Sequence, residues 1–220
     1  MSNGGRAATA FALLAAVILA VPAGAGLPLT GKVVVLDPGH AAVNYQRAVV
    51  NSGKSRGSVD EHRLTLDIAV SLAELLKADG ATVYLTRTPA DYWRSSYSAI
   101  EDNKSRAFFA NEVKADIFIA IHCDWHPNRQ FYGVTTFYSS PASRRLGEEI
   151  QRRLVSDLKT RDRGVIRSNF TALDNAKMPA VLVETGFMSN RTEGKKLLQP
   201  AYQKKVAGAM ASAVRRYFAS

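Results

Sequence analysis

Cysteine is almost missing from these 220 residues: Cys123 stands alone. No intrachain disulfide can form, so stability has to come from a packed core. Internal repeats are missing, and so is any Pro-, Gly- or Ser-rich linker, so nothing marks a boundary between two domains. No apolar run is long enough to span a bilayer: Ala7–Val21 offers about 15 residues where a spanning helix needs roughly 20. Acidic residues are scarce, with 19 Asp and Glu against 29 Lys and Arg for a net charge of +10. The remaining composition, 46% hydrophobic and 22% charged, is that of a packed globular chain whose length suits one large domain.

Arg6 precedes the Ala7–Val21 run, and Ala23-Gly24-Ala25 follows it with small residues. This pattern reads as a secretory signal over residues 1–25, cleaved near Ala25; an uncleaved anchor of the same topology is the alternative. Either places the remaining domain, residues 31–220, outside the cytoplasm. Losing residues 1–25 removes only Arg6, leaving +9. Such an excess points to an anionic partner, a polyanionic wall or anionic lipid headgroups, unless it is simply a solvated surface of scattered cations. Export argues against nucleic acid. A monomer is expected, and whether an activator protein acts on it is left open by the sequence.

Three β-branched apolar runs each stop on a residue that can bind a metal or move a proton. Val33-Val34-Val35-Leu36 leads into Asp37-Pro38-Gly39-His40, Ile117–Ile121 into His122, and Ala180–Val183 into Glu184. Short continuous apolar runs read as strands buried on both faces of a largely parallel sheet. Ligands in such sheets sit outside the carboxyl ends of the strands, so these residues are expected to gather at one edge. Cys123 would point away from His122 in extended chain and reads as a small buried hydrophobe.

Helical spacing joins Leu64, Ile68, Leu72 and Leu75/Leu76, and Gly80 stops that helix. Thr82–Thr86 and Gly133–Tyr138 read as strands and Ile100–Val113 as a helix. Ser140-Pro141 starts another helix, with Ser as N-cap and Pro first, which carries Leu146, Ile150, Leu154 and Leu158. A final helix turns Val206, Met210 and Val214 to one side. The fold class is therefore α/β, an α/β/α layered domain. Long aperiodic stretches follow His40, up to Glu61, and cover residues 88–99 with Tyr92, Trp93 and Tyr97, which can stack on sugar or plug a gap.

A catalytic zinc takes three protein ligands and keeps one position open, and His₂Glu is an established set. His40 and His122 are the natural imidazole pair. Glu61 and Glu184 are the carboxylates on offer, and periodicity does not say which is ligand and which is base. Glu61 has a competing role as the end of a capping box, Ser58-Val59-Asp60-Glu61.

Beyond these patterns, the chain resembles a family. Val35-Leu36-Asp37-Pro38-Gly39-His40, Glu61, Ala120-Ile121-His122-Cys123-Asp124 and Met178–Asn190 with its Val-Glu-Thr-Gly-Phe-Met-Ser-Asn core are similar to the zinc N-acetylmuramoyl-L-alanine amidases of the amidase-3 type. Leu85-Thr86-Arg87, Arg106, Ala110–Asp116, Gly133–Tyr138 and Asp162-Arg163-Gly164 continue the resemblance, which runs from about residue 32 to 218. It implies a three-layer fold around a mixed, mostly parallel sheet of about six strands. It also implies Zn2+-dependent cleavage of the amide between N-acetylmuramic acid and L-alanine in peptidoglycan. His40, Glu61 and His122 would bind zinc, and Glu184 would be the general base. Two departures stand out. Ala41-Ala42 replaces two glycines, and the His40–Glu61 spacing is several residues longer than the family's, which makes Asp60 the alternative ligand. Asp124 and His126 match no ligand position and read as loop residues. A carboxypeptidase acting on wall peptides and a non-enzymatic wall-binding protein are the competing readings.

Overall fold

The computed structural model describes residues 26–40, 42–43, 49–88 and 99–220. The signal reading over residues 1–25 and the aromatics Tyr92, Trp93 and Tyr97 lie outside them.

Six strands form the main sheet: β1 (Val33–Pro38), β2 (Thr82–Leu85), β3 (Ile117–Asp124), β4 (Val134–Tyr138), β5 (Asp162–Arg167) and β6 (Ala180–Phe187). Their order is β2-β1-β3-β6-β4-β5. All neighbours are parallel except the antiparallel pair β6 and β4. The mixed, six-stranded α/β architecture expected from the resemblance is therefore present.

Alternation along each central strand assigns its side chains to two faces. Val34, Leu36, Ile117, Ile119, Ile121, Val181 and Val183 face one core, and Val35, Phe118, Ala120, Ala180 and Leu182 face the other. The first is covered by α1 (Glu61–Ala78), α3 (Pro141–Leu158) and α6 (Pro200–Ala219), with α6 packed on both α1 and α3. The second is covered by α2 (Ala99–Glu112) and the short α4 (Thr171–Asp174). A further short helix, α5 (Glu193–Leu197), follows β6.

The helices bury the stripes that their spacing predicts. Leu64, Ile68, Leu72 and Leu76 are buried, while Leu75 is 39% exposed, so the stripe continues through Leu76. Leu146, Ile150 and Leu154 on α3 and Val206, Met210 and Val214 on α6 are fully buried. Burying a side chain of this size contributes about 1.5–3 kcal/mol. Pro141 occupies the first turn of α3 as expected, but the Ser140 hydroxyl meets Ser143 Oγ at 2.8 Å and does not cap a backbone N–H. Among the described residues no helix is long and apolar enough to cross a membrane.

Candidate metal and catalytic site

β1, β3 and β6 run parallel, so their carboxyl ends share one edge of the sheet. The strands run further than the apolar runs suggest: β3 continues through Cys123 to Asp124, and β6 to Phe187. Alternation therefore still operates at the site. His122 and Glu184 occupy the same face as Phe118 and Leu182, and they are direct partners in the β3–β6 register. Cys123 points the other way and is buried with Leu64, Met188 and Leu197. Burial pushes its thiol well above the ordinary range, so it is an inert hydrophobe, as its position suggests.

His40, Glu61 and His122 come together from three elements. Their donor atoms all lie within 4.8 Å of one another. His40 Nε2 is 3.0 Å from Glu61 Oε2, and His122 Nδ1 is 3.2 Å from Glu61 Oε1. The backbone N–H of Lys54 donates to Oε2 (3.2 Å), and that of Cys123 donates to Oε1 (3.1 Å). Burial raises the pKa of Glu61, but its bonds to His122 and His40 outweigh that and hold the group far below the ordinary carboxylate range.

Glu61 opens α1, and the capping-box alternative is not formed. Asp60, not Ser58, is the N-cap, and the Glu61 side chain turns inward to the two histidines. Asp60 is a poor alternative ligand: it sits in a small hairpin (Ser55–Arg56 with Val59–Asp60) and accepts a 2.6 Å hydrogen bond from Ser55 Oγ.

Two glycines make room for the cluster. A Cβ on Gly39 would lie 2.4 Å from the His122 ring. Gly53, at φ +74°, leaves space that a Cβ would close to 2.6 Å from Glu61 Oε2 and 2.7 Å from His40 Cδ2. His40 itself adopts φ +65°, rare for a residue with a side chain and common where strain serves a site.

Buried arginines hold that strained turn. Arg87 donates Nε to the Pro38 carbonyl (3.0 Å) and Nη2 to those of Gly39 (2.8 Å) and His62 (2.7 Å). Arg106 donates Nη2 to the His40 carbonyl (2.8 Å) and Nη1 to Asp37 Oδ1 (2.8 Å), while Asp102 balances it from α2 (3.0 Å). These supports escape a reading of motifs, although Thr86-Arg87 at a strand end and Arg106 on a helix were visible as matches.

Glu184 stands outside the three-residue cluster. Its Oε2 is buried and has no hydrogen-bond partner among the described residues. Burial first, then the charges of Asp124 and Glu61, push its pKa well above the ordinary range. Asp124 ends β3 instead of lying in a loop and accepts the Trp125 N–H. His126 stacks on Phe131 with centroids 3.9 Å apart.

The donor set fits zinc chemically: two imidazole nitrogens and one carboxylate oxygen, with Glu184 left aside. A tetrahedral ion with ligands at about 2.0–2.2 Å needs donors roughly 3.4 Å apart; the two histidine–carboxylate separations are 3.0 and 3.2 Å, and the whole set lies within 4.8 Å.

The family model for N-acetylmuramoyl-L-alanine amidase of the amidase-3 type matches residues 34–216. The chain belongs to this family. Among amidase relatives, LytC of Bacillus subtilis is 32% identical over 195 residues, covering 87% of this chain and 36% of LytC. The germination-specific N-acetylmuramoyl-L-alanine amidase of the same organism is 30% identical over 201 residues, covering 87% and 82%. The crystal structure of the N-acetylmuramoyl-L-alanine amidase from Clostridium difficile 630 superposes with a TM-score of 0.73 at 30% identity, covering 86% of this chain and 97% of that one. The chain spans about a third of the length of LytC and of a cell wall amidase of Bacillus anthracis (36% each).

Proposed function

We propose that this chain is a zinc-dependent peptidoglycan hydrolase that cleaves the amide joining N-acetylmuramic acid to L-alanine. The observation that carries this reading is the convergence of His40, Glu61 and His122 at the sheet edge, with Glu184 on the adjacent strand beside His122. His40 and His122 would hold the ion through ring nitrogens and Glu61 through a carboxylate oxygen. Zinc bound there supplies Lewis acidity, which polarises a carbonyl and acidifies water.

Glu184 is the proton carrier. Its ionised carboxylate takes a proton from the attacking water as the new C–O bond forms. It returns that proton to the nitrogen as the C–N bond breaks, leaving a lactyl carboxylic acid and the free amine of L-alanine. A buried carboxyl with a raised pKa suits the second half of this cycle, because it holds the proton until the amine leaves. Gly39, Gly53, Arg87 and Arg106 keep the ligands preorganised.

The substrate places the enzyme outside the cytoplasm, and residues 1–25 would direct its export. Surplus positive charge would hold it on anionic wall polymers. Incubating the zinc-loaded protein with purified sacculi and weighing the products tests the reading. Free lactyl groups with free L-alanine amines are expected. Products trimmed from the peptide's carboxyl end would instead indicate a carboxypeptidase, and intact sacculi a binding protein.

A further inference from the structure

The cations that border the site decide which charged parts of a substrate it can hold. Most cations near the site are already engaged. Arg56 donates to the carbonyls of Met188 (2.8 Å) and Arg191 (3.2 Å), and Arg87 and Arg106 are buried in main-chain bonds.

Lys54 is different. The residue is exposed, its Nζ has no carboxylate partner among the described residues, and it lies 5.1 Å from the centroid of the Trp125 ring. Its main chain is tied to the metal cluster. Lys54 N–H donates to Glu61 Oε2 (3.2 Å), and Glu61 N–H donates to the Lys54 carbonyl (2.8 Å). Arg56, two residues on, pins the same segment to the loop after β6. Trp125 follows His122 by three residues and is 40% exposed. The pair therefore bridges the segment bonded to Glu61, which carries the cation, and the segment that follows His122, which carries the aromatic face. An indole face binds sugar or peptide surface, and a nearby ammonium attracts a carboxylate.

The geometry points to a substrate subsite made by Lys54 and Trp125 that selects wall peptides carrying a free carboxylate close to the cleaved amide. This rests on the hydrolase reading and adds a preference to it. In a muramyl peptide whose second residue is glutamate joined through its side chain, the α-carboxylate lies a few bonds beyond L-alanine. Amidating that group removes the charge and leaves the shape nearly unchanged.

The test compares two muramyl tripeptides that are identical except for an α-carboxylate or an α-amide on the second residue. KM and kcat are measured with the zinc-loaded full chain. The carboxylate form should show a KM about 2- to 5-fold lower, the range an exposed ion pair supplies. Lys54→Met should bring the KM ratio to about 1 and Lys54→Glu should invert it, with Lys54→Arg restoring the wild-type order. Trp125→Ala should raise KM for both forms. Zinc content measured on each variant shows that Glu61 is still held, because the main chain of Lys54 does that work. A wild-type ratio of 1, or a ratio that survives Lys54→Glu, overturns the subsite. Should the wild type cleave neither peptide, the hydrolase reading fails, and calorimetric binding of the same two peptides decides the subsite alone. Preference for the carboxylate lost in Lys54→Glu supports it, and equal binding overturns it.

Discussion

Arg106 Nη2 donates to the main-chain carbonyl of His40 across 2.8 Å, beneath a residue held at φ +65°. The guanidinium is 1% exposed and is shared between Asp37 and Asp102. Burial alone would lower its pKa, yet the two carboxylates raise it, so it remains charged. One buried cation thus fixes a candidate metal ligand through its backbone.

Arg106→Gln should weaken zinc binding by about 10- to 100-fold, the usual cost of removing an outer support from a metal site. It should also destabilise the fold by roughly 3–5 kcal/mol, because Asp37 and Asp102 lose their counter-charge. Chelator competition and denaturant titration measure the two effects separately. Unchanged zinc affinity in the folded variant would show that His40 does not depend on this clamp.

Gly53→Ala isolates the site from the fold. The added methyl group meets Glu61 and His40, and φ +74° is costly for alanine. Zinc affinity should fall, with a stability loss of about 1–2 kcal/mol from the strained backbone. An equilibrium zinc titration beside a thermal melt checks both.

His40, His122 and Glu184 were legible because each follows an apolar run long enough to declare a central strand. Parallel packing then forces those ends together. Glu61 was less so. Its approach is a polar segment that folds into a two-residue-per-strand hairpin, too short to leave a periodic trace. Ser58 and Glu61 also have the spacing of a capping box that the chain does not form. β5 went unread because Asp162–Arg167 is an edge strand, with no residue in its span fully buried. The clamp of Arg87 and Arg106 was hidden for another reason. Its hold on the His40 turn runs through main-chain carbonyls, which carry no residue-type signature.

Charge should govern retention on the wall. The α6 helix carries Lys204, Lys205, Arg215 and Arg216 and no acidic residue, and Arg152, Arg153, Ser212 and Arg216 line a groove between α3 and α6. Co-sedimentation with sacculi should weaken as salt rises from about 0.05 M to 0.5 M, since the screening length shrinks over that range. Lys205→Glu combined with Arg216→Glu should weaken it at low salt. Retention that is indifferent to both would assign binding to the cleft.

Glu184→Gln separates base from ligand and carries a stability signature of its own. The amide keeps the shape and cannot accept a proton, so cleavage should fall by about 10²–10⁴-fold or more. Bound zinc should persist, whereas Glu61→Gln should lose zinc and activity together. The pKa of Glu184 is raised in the folded state by burial, so the folded protein binds that proton more tightly than the unfolded chain does. Its contribution to stability is complete below about pH 4.5 and is lost as pH rises through the folded value. Metal-free Glu184→Gln should therefore match the wild type near pH 4 and exceed it at pH 7 to 8. The gain is the cost of ionising a carboxyl in a buried site, which the amide does not incur. Denaturant titrations of both metal-free proteins across this range give the comparison. Zinc lost from Glu184→Gln and kept in Glu61→Gln would exchange the two roles. A stability difference that does not grow with pH would mean that Glu184 ionises as freely in the folded protein as in the unfolded chain.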